Sequence, residues 1–145
     1  MSKLPNISTS IFTVMSKMAV EYNAINLSQG FPNFPVDERL IDIVAKLAKE
    51  NVHQYTPMSG YPPLLSKIAT LVKHSYGRTI QPETELLVTA GATQAIFTTI
   101  TALVKNNDDV IILDPSYDCY EAPVLLCNAN PVRVALNDDY TPNWE

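Results

Sequence analysis

The sequence predicts an α/β fold with a largely parallel sheet, on three observations. After residue 85, apolar runs typical of strands alternate with amphipathic patterns typical of helices. The run at residues 110–113 is apolar at every position, as in strands that are buried on both faces. Gly91 separates the run at residues 86–90 from the helical pattern that follows, which indicates a tight strand-to-helix turn. Such β-α-β alternation places ligand sites at the carboxyl ends of the strands.

Composition narrows the class of protein. The chain has 145 residues, of which 46% are hydrophobic, and a domain of this size can bury about two-thirds of its unfolded surface. Ten Lys and Arg stand against fifteen Asp and Glu, for a net charge of -5, and the basic residues are scattered singly. We therefore expect no nucleic-acid partner. Without a leader or an apolar run of membrane length, we expect a soluble, cytoplasmic protein with no membrane partner.

The first half of the chain predicts an arm and three helices. Residues 1–8 are polar and form the arm, and residues 10–22 show helical spacing of apolar side chains. A second helix runs from near Asp37 to near Glu50, and a third has a proline in its first turn and stops at Gly77. The predicted buried stripe of the second helix is Leu40, Ile43, Val44 and Leu47.

Two loops in this half contain prolines and aromatic residues. Residues 26–35 hold two prolines and a glycine, so they cannot be helical throughout. Loops of this kind often contain functional sites, and the alternative is a plain connection that packs Phe31 and Phe34 onto the core. The second loop, at residues 53–63, is rich in aromatic residues and proline.

The second half predicts three strands with helices between them. A polar connection at residues 78–85 leads into the strand at 86–90 and its helix, and the strand at 110–113 follows a turn. A helix at residues 117–127 and a strand at 131–136 complete the series. Cys119 and Cys127 fall in this last helix; we expect reduced, buried thiols and favour them over a disulfide or a metal site.

The turn at Gly91 is a candidate anion site. The first amides of a helix have no partner inside the helix, and the aligned peptide dipoles place partial positive charge there. Gly91 lets the backbone approach an anion, and Thr93 and Gln94 could add side-chain donors. The alternative is an ordinary strand-to-helix turn that is capped by Thr93.

Four segments together resemble one protein family. They are Leu-Ser-Gln-Gly-Phe-Pro-Asn-Phe-Pro at 27–35, Gln-Tyr-Thr-Pro-Met-Ser-Gly-Tyr-Pro-Pro-Leu at 54–64, Val-Thr-Ala-Gly-Ala-Thr-Gln-Ala at 88–95 and Asp-Pro-Ser-Tyr-Asp-Cys-Tyr-Glu at 114–121. In order and spacing they resemble the amino-terminal part of the fold type I, class I/II pyridoxal phosphate-dependent aminotransferases. The likeness extends in particular to the branch of methionine aminotransferases and kynurenine and glutamine transaminases.

The resemblance implies a set of cofactor-binding residues. Gly91, Ala92 and Thr93 resemble the turn that binds the phosphate of pyridoxal 5′-phosphate, although close relatives often have another small or aromatic residue in place of Thr93. Tyr117 resembles the aromatic residue that stacks on the pyridine ring. Tyr55 is similar to the tyrosine that crosses to the neighbouring subunit and hydrogen-bonds the phosphate there.

The resemblance also implies the substrate side of the site and the assembly. Gly30, in a loop with Phe31, resembles the residue against which the carboxylate end of the substrate lies. The implied enzyme is a twofold homodimer with shared active sites, in which the arm and first helix lie near the partner's site. Residues 1–35 would form the arm, short helix and substrate loop, and residues 36–145 the first part of a truncated, three-layer large domain that binds the cofactor.

No catalytic residue is predicted within this chain. In the family a lysine forms the Schiff base, a carboxylate pairs with the pyridine nitrogen and an arginine holds the substrate carboxylate, and all three come later. The lysines present lie in the arm, on polar helix faces or at a helix end, whereas a Schiff-base lysine needs a setting that lowers its pKa. We therefore expect an inactive fragment of a longer enzyme.

Three functions remain open at this point. The first is transfer of an amino group between a 2-oxo acid and an amino acid such as methionine, an aromatic amino acid or glutamine. The second is a pyridoxal phosphate-dependent carbon–sulfur β-lyase, since lyases share this fold. The third is a non-catalytic α/β binding module, which would have to cover an exposed sheet edge. An aminotransferase-like domain of a transcription regulator is disfavoured because the chain is acidic and shows no helix-turn-helix before residue 26.

Overall fold

The computed structural model describes residues 2–144, which form six helices and two strands. These elements belong to two compact units. One unit extends to Gln29 and resumes at Ala90, and the other is Gly30–Thr89. Within the described residues the helices are α1 (Ile11–Glu21), α2 (Glu38–Leu47), α3 (Pro62–Tyr76), α4 (Pro82–Glu85), α5 (Ala92–Leu103) and α6 (Glu121–Leu126), and the strands are β1 (Asp109–Asp114) and β2 (Asn130–Ala135). The predicted functional division at residue 35 stays a prediction.

Strands β1 and β2 pair in parallel, with α6 between them in sequence. Asp109 lies opposite Asn130 and Asp114 lies opposite Ala135. Parallel neighbours need a crossover connection, and α6 supplies it. The predicted parallel sheet and both of its strands are thus confirmed, each within one residue of the expected ends.

A small apolar core holds this unit together. Ile112 of β1, Val124 of α6 and Ala129 are almost fully buried. Ile100 and Val104, at the end of α5, pack against them. The core therefore fixes α5 and α6 relative to β1, and with them the chain segments that follow the carboxyl end of β1 and precede α5.

The prediction of a strand at residues 86–90 is wrong: among the described residues, this segment belongs to no sheet. Leu86 has extended backbone, with φ -127° and ψ 140°. The segment joins no ladder between residues 2 and 144; the N–H of Val88 donates instead to the carbonyl of Ser59, at 2.9 Å. An extended segment becomes a strand only when a neighbouring strand supplies the ladder.

The predicted helix at 117–127 is also too long. It begins at Glu121, and residues 118–120 form a turn. Pro123 explains the late start, because a proline ring clashes with the carbonyl four residues earlier inside a helix but fits the first turn. Consequently Cys119 lies in the turn and Cys127 at the end of α6; both are free and half-buried, so the prediction of two buried thiols in one helix is wrong.

Several apolar faces are exposed in this chain, against prediction. Every residue of the predicted stripe of α2 is between 41% and 59% exposed, and Ile111 of β1, predicted to be buried, is 70% exposed. The amphipathic pattern predicts α2 correctly, but the apolar face of α2 is exposed in the described chain.

Helix α3 shows the start and stop signals that the sequence predicts. Pro63, the predicted first-turn proline, lies in the first turn together with Pro62, and Gly77 ends the helix with φ 68°, in the left-handed region. Leu65 on this helix and Ile80 beyond it are the most buried residues of the unit. The polar connection at 78–85 was predicted without a helix and contains the short α4 instead.

Gly60, in the same unit, is closely packed against Val88. It has φ +122°, and a Cβ there would lie 2.9 Å from both Cβ and Cγ2 of Val88. The close approach of Gly60 to Val88 lies beside the hydrogen bond from the Val88 N–H to the Ser59 carbonyl. Together they hold the aromatic loop against residues 86–89.

Replacement of Gly60 by Ala is expected to lower the free energy of unfolding by about 2–4 kcal/mol, through strain at positive φ and overpacking against Val88. Gly30→Ala is the matched control, because a Cβ at Gly30 meets nothing within 4 Å and its φ is unremarkable for an L residue. Urea unfolding of the three proteins measures the difference. A Gly60→Ala protein as stable as the Gly30→Ala protein would contradict the close packing.

Glu85 makes stability depend on pH. Hydrogen bonds from the Gln81 N–H, at 2.6 Å, and from the Arg78 guanidinium, at 2.8 Å, hold the pKa of the Glu85 carboxyl below its ordinary value. A lowered pKa in the folded state stabilises the protein at neutral pH, and this contribution is lost as the pH falls through the folded-state pKa. We expect Glu85→Gln to be less stable than the native chain at pH 7 and to approach its stability in acid. Denaturant unfolding across pH 3–7 tests this; a difference that is constant with pH would be inconsistent with it.

Candidate active site

Gly91 sets the geometry of the start of α5. Its φ of 94° and ψ of 161° lie in a region that is essentially restricted to glycine. The N–H of Ala95 donates to the Gly91 carbonyl, at 3.3 Å, so the helical ladder begins at this residue. The amides of Ala92 and Thr93 fall in the first turn, where a helix offers no internal acceptor. The positive end of a helix of 12 residues therefore starts directly after the glycine.

Gln94 braces this turn in a way that the sequence did not indicate. Its Oε1 accepts a hydrogen bond from the N–H of Ala90, at 2.6 Å, reaching back across Gly91. The N-cap is Gly91, and no side chain caps the helix. The cap by Thr93, which the alternative of an ordinary turn includes, is therefore wrong, and Gln94 acts first as an acceptor within the turn.

The start of α5 fits a phosphate group. A Cβ on Gly91 would meet no atom within 4 Å, so the space at that position is open. First-turn amides and the helix dipole both favour negative charge at the start of a helix. In such a site the contacts to an anion would come from backbone groups, so the identity of the side chain at Thr93 would matter little.

Tyr117 follows β1 and lines an apolar cavity. The cavity has a volume of about 470 Å³ and is lined by Ile112, Leu113 and Pro115 among others. Half of the Tyr117 side chain is exposed, at 52%. Its ring is thus available to a flat ligand, as the predicted stacking role requires, although Gly91, Ala92 and Thr93 do not line the same cavity.

The start of α1 contacts the Tyr117 segment within the same chain. The rings of Phe12 and Tyr117 lie 5.6 Å apart between centroids, tilted by 30°. Ser10, the N-cap of α1, donates a hydrogen bond from its hydroxyl to Asp118. The sequence shows Phe12 only as one apolar residue of a helix, so this neighbour of the candidate site was missed.

Charged groups cluster at the carboxyl end of β1. Arg133 of β2 donates from Nη2 to Glu121, at 2.8 Å, and its Nη1 lies 3.5 Å from Asp114. The hydrogen bond to Glu121, then the charges of Glu121 and Asp114, raise the pKa of the Arg133 guanidinium. No local pattern predicts this cluster, because its members are separated along the chain.

The other predicted site residues lie in the second unit. Tyr55 is 98% exposed and Phe31 is 68% exposed, and Gly30 is exposed as well. The alternative that Phe31 and Phe34 pack onto the core is therefore wrong. The structure brings Gly91, Ala92, Thr93 and Tyr117 into one unit, and the roles of Tyr55, Gly30 and Phe31 stay predictions.

Residues 2–144 contain neither a metal-ligand cluster nor a membrane-spanning helix. No group of three or more His, Cys, Asp or Glu side chains is arranged there to hold a metal ion. No helix in that range is long and apolar enough to cross a membrane.

Gly91→Ala should lower the free energy of unfolding by about 1–3 kcal/mol, because alanine must adopt a backbone conformation that is reserved for glycine. Steric crowding within the protein is not the cause, since the Cβ would enter open space. Thr93→Ala is the control and should change stability by less than about 0.5 kcal/mol, since Thr93 is exposed and caps nothing. Thermal unfolding followed by circular dichroism compares the two variants. Equal stability of both would contradict the assigned role of the turn.

Comparison with known proteins gives a consistent family. Residues 22–145 match the family described as aminotransferase class I and II. A methionine aminotransferase of Escherichia coli is 44% identical over 145 residues, which is 99% of this chain and 38% of that protein. Kynurenine–oxoglutarate transaminase 1 of rat is 35% identical over 142 residues, 97% of this chain and 34% of that protein.

Solved structures agree with the sequence comparison. A structure of an Escherichia coli protein with methionine aminotransferase function superposes with a TM-score of 0.92 at 41% identity, over 99% of this chain and 38% of that one. N-succinyldiaminopimelate aminotransferase of Mycobacterium tuberculosis gives 0.88 at 35% identity, over 96% and 36%. The chain thus spans little more than a third of the length of these relatives. Since the family match covers most of its residues, the chain belongs to the class I and II aminotransferases.

Proposed function

We propose that this chain forms the amino-terminal part of an enzyme that transfers an amino group between an amino acid and a 2-oxo acid. The observation that carries the proposal is the backbone of Gly91, which begins α5 in a conformation that favours glycine and at which a Cβ would enter open space. Relatives of this family use pyridoxal phosphate, and that group is the anion that suits the turn.

The residues have separate tasks in this proposal. The amides of Ala92 and Thr93, with Gly91, bind the phosphate, and the ring of Tyr117 lies against the pyridine ring and orients it. Tyr55 binds the phosphate at the partner's site, and Gly30 and Phe31 border the carboxylate end of the substrate. Pyridoxal phosphate, when bound, supplies the electron sink for proton transfer at the substrate α-carbon.

The chain's own lysines do not suit the Schiff-base role. Each of them is exposed in the structure: Lys3, Lys17, Lys46, Lys49, Lys67, Lys73 and Lys105. A reactive lysine needs burial or neighbouring cations to lower its pKa. We therefore propose that the 145-residue chain is inactive by itself and acts within a longer protein.

Methionine is the proposed amino donor, on the strength of a relative named methionine aminotransferase that is 44% identical. We also propose a homodimer with shared sites, because Tyr55 is 98% exposed and free to reach a partner subunit. The free thiols of Cys119 and Cys127 favour a reducing compartment, so the proposed location is the cytoplasm.

Tyr117→Ala in the full-length enzyme is expected to weaken pyridoxal phosphate binding about tenfold, since it removes the stacking face. Tyr117→Phe keeps the ring and should bind nearly as well, and Tyr76→Ala, at an exposed position of α3, controls for loss of a surface tyrosine. Equilibrium dialysis measures the cofactor, and a methionine-plus-oxo-acid assay measures transfer. Native cofactor affinity in Tyr117→Ala would refute the stacking role. Release of ammonia by the native enzyme in the absence of an oxo acid would indicate a β-lyase instead of an aminotransferase.

A further inference from the structure

The segment that contains Tyr117 has little regular structure of its own. Residues 115–117 belong to no helix or strand, and residues 118–120 form a turn. A ring that must hold a fixed angle against a ligand needs a segment that is restrained from outside. The restraint has to come from neighbouring elements.

Both ends of this segment are tied to the same side chain. Asp114 is the last residue of β1, and Glu121 is the first residue of α6. Arg133 bonds to both of them, at 3.5 Å and 2.8 Å. The guanidinium has five N–H donors in a rigid, planar fork, so one arginine can hold two carboxylates at a fixed separation.

The position of Arg133 is itself fixed by the sheet. It lies opposite Ile112, the buried residue of β1, in the parallel register. Its backbone is therefore held in the parallel ladder, and its side chain reaches from β2 to the end of β1 and to the start of α6. With Tyr117 and Glu121, it lines a second cavity, of about 580 Å³.

Arg133 is poorly suited to bind an acidic ligand in that cavity. Two carboxylates already contact its single positive charge, so the cluster of Asp114, Glu121 and Arg133 has a net negative charge. A substrate carboxylate would be repelled there. The arrangement suits a structural bridge better than a ligand site.

We propose that Arg133 is a positioning residue, which bridges Asp114 and Glu121 and so fixes the segment that presents the Tyr117 ring. The proposal rests on the proposed function for the purpose of that ring, but the bridge itself can be tested without cofactor. Both carboxylates and the guanidinium are about half exposed or less, which leaves the bridge open to competition from water. We therefore expect a local effect rather than unfolding.

Amide hydrogen exchange of the full-length protein, followed by mass spectrometry, tests the bridge. In Arg133→Gln, exchange at the amides of residues 116–120 should rise about threefold to tenfold, while exchange in α3 is unchanged. Arg133→Lys should be intermediate, because lysine keeps the charge but lacks the fork. Arg39→Gln is the matched control: it removes another exposed arginine–carboxylate pair, with Asp37 at 2.7 Å, in the other unit.

A second measurement links the bridge to the ring. Release of pyridoxal phosphate from the holoenzyme should be faster in Arg133→Gln, in the same direction as in Tyr117→Ala, and unchanged in Arg39→Gln. The proposal is overturned if Arg133→Gln leaves the exchange of residues 116–120 unchanged, or if exchange in α3 rises by the same factor. It is also overturned if Arg133→Gln releases pyridoxal phosphate at the native rate while Tyr117→Ala releases it faster than the native enzyme. Native release in Tyr117→Ala itself would reject the proposed role of Tyr117, and the exchange data would still decide the bridge.

Discussion

The parallel pairing of β1 and β2 is the interaction on which the candidate site depends. Its register sets Asp114 beside Ala135 and places the buried Ile112 against Val124 and Ala129. Ile100 and Val104 attach α5 to the same core, so one apolar cluster positions both the helix that Gly91 begins and the strand that Tyr117 follows. The polar groups of the site hold their places because this small cluster is buried.

Local signals in the sequence predicted much of the secondary structure correctly. Pro63, Gly77 and Gly91 each impose a backbone conformation that does not depend on distant residues, and the structure shows a helix that starts or stops at or beside each of them. The late start of α6 was also within reach of the sequence, because Pro123 excludes a helix that begins much earlier. That signal was overlooked, not missing.

Other features depend on contacts that no local pattern encodes. Residues 86–90 have the composition of a strand, but a strand exists only with a neighbour, and Val88 bonds to a loop carbonyl. The apolar stripe of α2 predicts a buried face and cannot say what buries it. The Arg133 cluster and the contact of Phe12 with Tyr117 join residues that are far apart in sequence. Resemblance to a family predicted the turn and the ring, but not the groups that hold them.

The backbone of the turn before α5 has a consequence for sequence variation. Binding through main-chain amides separates the position that must be conserved from those that are free to change. Position 91 accepts only glycine without strain, because its φ and ψ exclude a side chain on any other residue. The neighbouring positions 92 and 93 can drift, since every residue except proline brings the same N–H group. If the turn binds the phosphate as proposed, a lineage could exchange Thr93 for larger or aromatic residues and change what lies beside the phosphate, while the main-chain contact to the phosphate stays the same.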